Sequence, residues 1–123
     1  MNELTEKIRK VEADIAAARG SFTLFAFLER EGLADRWDVV VAAPWAKDDR
    51  VTLDYVVAAM KRHLAPRDFV HIARIVILDA SDNPVRVLTE RFDVEHGSEE
   101  LFYPQRFGLP VRFGYIITSR RAA

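Results

Sequence analysis

Two stretches of this 123-residue chain are apolar at odd and even positions alike, and no other feature constrains its fold so strongly. In Trp37 to Ala43, Trp37, Val39 and Val41 share one parity while Val40 and Ala42 take the other. In 69–78, Phe69, His71, Ala73, Ile75 and Ile77 lie on one side. Val70, Ile72, Val76 and Leu78 lie on the other, interrupted only by Arg74. Successive residues of a strand face opposite ways, so such strands need apolar cover on both faces.

Between them, Leu53, Val56, Val57, Met60 and Leu64 repeat at helical spacing. Thr52 is placed to cap that helix, 53–64, and Pro66 to end it. A strand-helix-strand step of this length predicts a crossover with the two strands parallel.

The flanks complete the expected architecture. Leu4, Ile8, Val11, Ile15 and Ala18 form one stripe of a helix over 3–18, closed by Gly20. Ser21 reads as the cap of a second helix, 22–31, with Phe22, Phe25 and Leu28 on its face and Gly32 at its end. Beyond the second apolar strand, 79–84 is dense in turn formers, so 85–94 is expected to return as an antiparallel strand through Leu88, Phe92 and Val94. Gly97 and Ser98 open an irregular segment with one helical turn at 99–103, and 111–118 makes the last strand. The predicted fold is α+β with an α/β-like centre: a helical hairpin, then a β-α-β-β-β core with a small mixed four-stranded sheet. The chain reads as one compact domain over 1–123, long enough to bury a core without a staple.

Composition narrows the function classes. Lys plus Arg total 18 against 19 acidic residues, a net charge of -1, which supplies no bulk attraction to nucleic acid or anionic membrane. With no cysteine, disulfides, thiolate catalysis and cysteine-ligated metals are excluded. The polar start and the lack of a long apolar run predict a cytoplasmic protein without signal or membrane segment.

Chemical motifs are sparse. His63, His71 and His96 lack metal-ligand spacing, no nucleophile elbow is present, and the five glycines build no phosphate loop. No catalytic residue, cofactor or metal is therefore assigned. Lys61, Arg62, His63 and Arg67 lack the interleaved aromatics of a base-stacking surface, so nucleic acid is not expected as a partner. Two surfaces remain. Ligands of open α/β sheets bind beyond the carboxyl ends of parallel strands, which nominates Trp45, Lys47, Asp48, Asp49 and Asp79 as a pocket; their ordinary reading is solvated loop and turn. Leu101, Phe102, Tyr103, Phe107 and Leu109 put apolar excess into an irregular segment, as a partner surface would; their ordinary reading is burial in the chain's own core. The first helix offers a similar choice between core and dimer seam. The expectation is a non-enzymatic interaction or regulatory domain, homodimeric or bound to a protein partner, with a ligand pocket at 44–51 as the alternative.

Overall fold

The computed structural model describes residues 3–30, 32, 35–102 and 111–120. Helix α1 (Glu3–Arg19) leads into β1 (Leu24–Arg30) and β2 (Trp37–Ala42). Helix α2 (Arg50–His63) and a 3-10 segment (Pro66–His71) precede β3 (Ile72–Ile77). Helix α3 (Asn83–Arg91), β4 (Glu99–Phe102) and β5 (Val111–Ser119) follow. The sheet is five-stranded and mixed, in the order β3-β2-β1-β5-β4. The strands flanking the α2 crossover, β2 and β3, are parallel as expected, whereas the other three pairings are antiparallel.

The double apolar pattern of β2 has the expected result, and β1 shares it. Phe25, Phe27, Trp37, Val39 and Val41 join Ile117 under α1 and α2, which contribute Ile8, Val11, Ile15, Val56, Ala59 and Met60. The alternate positions Leu24, Ala26, Leu28, Val40 and Ala42 join Ile116 under Val85 and Leu88 of α3, with Leu101 of β4. Ile8, Val11 and Ile15 of the α1 stripe are thus taken up by the chain's own core, whereas Leu4 is half-buried and Ala18 exposed. Gly20 ends α1 at a φ of 104°, with its N–H bonded to Ala16 O.

Two elements depart from expectation, and together they change the topology. Residues 22–31 do not form a second helix, so there is no helical hairpin: 24–30 is β1, buried along nearly its whole length at the centre of the sheet. The unbroken apolar run Leu24 to Leu28 satisfies a helical template by chance, and the aromatic content was the better guide. Conversely, 85–94 is not a returning strand. Pro84 sits in the first turn of α3, and Val85, Leu88 and Thr89 at steps of three and four make its buried face. Of the residues at 99–103 read as a helical turn, Glu99–Phe102 instead form β4, which adds the fifth strand. Helix α2 also starts before the expected Thr52: Asp49 is its cap, accepting the Thr52 N–H at 2.9 Å.

Candidate functional site

The strand order leaves β3 and β4 as the outer strands. Strand β4 is four residues long and opens with two exposed glutamates, Glu99 and Glu100. Short length and charge are the usual devices that keep an edge from pairing. Strand β3 is longer and carries a single charge. Five of its six residues, Ile72, Ala73, Ile75, Val76 and Ile77, are apolar, and the first four of these are only half-buried. Its one charged residue, Arg74, is tied back to Asp38 of β2, Nε to Oδ2, at 3.0 Å. Leu78 donates inward to Val41 O, and alternation along the strand therefore turns the N–H and C=O groups of Ile75 and Ile77 away from β2. No further strand lies beyond them among the described residues. Phe69 and Val70 lead directly into this edge, Val70 with 58% of its surface exposed. Beside them lies an apolar groove of about 410 Å³ lined by Lys61, Leu64, Pro66 and Phe69. The sequence reading assigned 85–94 as the neighbour of β3, which hid this edge.

Of the residues nominated for a pocket, Trp45, Lys47 and Asp49 come together with Arg19, Thr52 and Tyr55 around a cleft of about 180 Å³. Trp45 is fixed by an indole N–H bond to Gly20 O at 3.2 Å and by edge-on contacts with Phe22 and Tyr55. The Thr52 N–H, which Asp49 accepts as a helix cap, holds the Asp49 carboxyl below its ordinary range. Asp48 and Asp79 do not line this cleft. Asp79 instead accepts from the Ser81 hydroxyl and N–H, which lower its carboxyl and commit it to the turn before α3. Arg19 and Tyr55, on helices distant in sequence, were not legible as pocket members.

The group from 97–110 divides. Leu101 is buried in the core under α3, whereas Phe102 is 59% exposed, with its ring 5.1 Å from that of Phe113. Tyr103, Phe107 and Leu109 lie outside the described residues.

Two polar clusters were missed. Glu12 of α1 is fully buried, its Oε1 2.5 Å from His96 Nδ1 and its Oε2 accepting from Thr118 Oγ1 at 3.0 Å. The Thr118 hydroxyl also accepts the His96 N–H, holding His96 at a φ of 53°. A carboxylate that orients one imidazole nitrogen is half of an acid–base pair. The other nitrogen, Nε2, stands 3.4 Å from Glu95. The spacing of Ile8, Glu12 and Ile15 placed Glu12 on the buried stripe and was a readable signal. On the α3 side of the sheet, Asp38 lies between Arg74 and Arg30, the latter 4.0 Å away, and its buried Oδ1 has no hydrogen-bond partner among the described residues. Among the described residues, no group of three or more His, Asp or Glu is arranged to hold a metal ion. No helix is long and apolar enough to cross a membrane.

Comparison with protein-family models, curated proteins and solved structures finds no match to this chain.

Proposed function

We propose that the chain is a homodimeric interaction domain in which two copies join through the open edge of β3. The observation that carries this reading is an outer strand of six residues, five of them apolar, without proline and with its single charge, Arg74, tied back to Asp38. Its flank extends the apolar surface through Val70, Phe69, Leu64 and Pro66. Arg74 is neutralised within the chain by Asp38, so the edge has no unpaired charge that calls for an acidic partner.

Symmetry selects a register. A two-fold axis perpendicular to the sheet keeps each face continuous and centres the antiparallel pair on a single residue. Centring on Arg74 would oppose two arginines. Centring on Ile75 places Arg74 opposite the partner's Val76 and lets the outward N–H and C=O groups of the two Ile75 residues exchange hydrogen bonds. Leu101 and Phe102 belong to the opposite edge, so this surface is distinct from the apolar group in 97–110.

Sedimentation equilibrium tests the proposal. The wild type is expected at twice the 14.1 kDa chain mass. Val70→Lys should weaken association by placing charge in the flank. Ile75→Pro should abolish it by removing an outward donor while sparing the β2 ladder. Circular dichroism establishes that each variant folds. A wild type that stays monomeric at the highest soluble concentration overturns the proposal, as does a dimer indifferent to both substitutions but lost on Phe102→Ser.

A further inference from the structure

The geometry points to a second, independent site: the cleft between the end of α1 and the start of α2 binds a small oxyanion, a phosphate or carboxylate group, through Arg19 and Lys47. The guanidinium carbon of Arg19 lies 5.1 Å from the ring centroid of Trp45 and 5.2 Å from that of Tyr55. Those rings meet nearly edge to face, at 71°. Trp45 is itself held by Gly20 O and Phe22, so the surface on which Arg19 rests is fixed. A guanidinium laid against aromatic rings keeps its N–H edge free, and that planar edge matches the paired oxygens of a carboxylate or phosphate. Neither the Arg19 guanidinium nor the Lys47 ammonium has a hydrogen-bond or ion-pair acceptor among the described residues, yet both line the same cleft.

The helix end contributes little, because Asp49 already takes the Thr52 N–H. The inference rests on two cations lining one concave space beside an aromatic wall, with the Asp49 carboxylate as the charge that faces Lys47. Asp49 is the single acidic residue of the described lining, so the cleft carries an excess of one positive charge. Its volume is about 180 Å³. A space of this size admits an oxyanion and its attached atoms.

The two indole N–H signals of Trp45 and Trp37 allow a direct test in the intact chain. Trp37 lies buried in the core, stacked on Phe27, and serves as the internal control. The ¹⁵N-labelled protein is titrated separately with sodium phosphate and sodium acetate, each against sodium chloride at equal ionic strength. The expected result is a saturable shift of the Trp45 signal with at least one oxyanion, absent with chloride and absent at Trp37. Response to phosphate alone, acetate alone or both identifies the source of the oxyanion. Arg19→Gln should weaken binding at least about tenfold, the usual worth of a charge-assisted hydrogen bond. Lys47→Gln should weaken it less. Trp45 shifts that chloride reproduces, or an affinity unchanged in Arg19→Gln, would overturn the inference.

Discussion

Gly114 sits in β5 between two neighbours, opposite Leu28 of β1 and Leu101 of β4. A Cβ added there would stand 2.4 Å from Leu28 Cδ2, 2.7 Å from Phe27 O and 3.0 Å from Leu28 Cα. Ordinary carbon contacts lie near 3.5–4.0 Å, so the shortfall is roughly 1 Å. The leucine methyl can turn aside, but the Phe27 carbonyl and Leu28 Cα belong to the central strand. Gly114→Ala must therefore part β1 from β5 by several tenths of an ångström. Overpacking of this kind costs about 1–3 kcal/mol, and a backbone clash belongs at the upper end. The narrower unfolded ensemble of alanine returns about 0.4–1 kcal/mol. A net loss of about 2 kcal/mol follows, or roughly 6–10 °C in melting temperature for a domain of this size. Urea unfolding and calorimetry measure it. Adding Leu28→Ala removes one clash and leaves the carbonyl, so it should not rescue the variant. If 24–30 were helical, as its periodicity allows, Gly114→Ala would be neutral or slightly stabilising. A melting temperature unchanged by the substitution refutes the placement of β1 beside β5.

Glu12→Leu should cost about 3 kcal/mol by leaving the buried Thr118 hydroxyl without its acceptor, and Thr118→Val in that background should restore part of the loss; urea midpoints that simply add contradict the coupling. Arg74→Met leaves Asp38, 3% exposed in its side chain, with only Arg30 at 4.0 Å. A destabilisation of about 2 kcal/mol is expected once the exposure of Arg74 is allowed for, and a loss below about 0.5 kcal/mol would mean the pair contributes little. Asp14, Asp49, Asp68 and Asp79 are all held below the usual value of 3.8, first by hydrogen bonds from His63, Thr52, Lys7 and Ser81 respectively. A carboxyl whose folded value is depressed stabilises fully above its unfolded value, and that contribution is lost as pH falls through the folded one. The urea midpoint should thus fall steeply below about pH 4, and Asp49→Ser, which keeps a cap without the charge, should flatten that limb.

Much of the fold was legible because burial leaves local traces. The both-parity pattern of 37–43 marked β2, the crossover fixed its parallel partner, and Gly20 marked the end of α1. The failures at 22–31 and 85–94 share a cause. Leu24 to Leu28 is apolar at every position, which erases the difference between periods of two and 3.6. At 79–84 the turn-forming residues that announce a hairpin also announce a helix start, and Pro84 in the first turn was the discriminating residue. The exposed edge of β3 could not be read locally, because it depends on which strand lies beside it. The cleft was legible in its loop, through Trp45, Lys47 and Asp49, but not in Arg19 and Tyr55, which packing brings to it.

The outward amides of Ile75 and Ile77 test the central claim most directly. Hydrogen exchange at these two positions, followed by NMR across a wide range of protein concentration, reports whether the β3 edge is paired. The edge dimer predicts fast exchange in dilute protein and protection that rises with concentration, while amides in the middle of β1 stay protected throughout. Rapid exchange of Ile75 and Ile77 at every concentration, in a chain that nevertheless sediments as a dimer, would place the interface elsewhere and contradict the account.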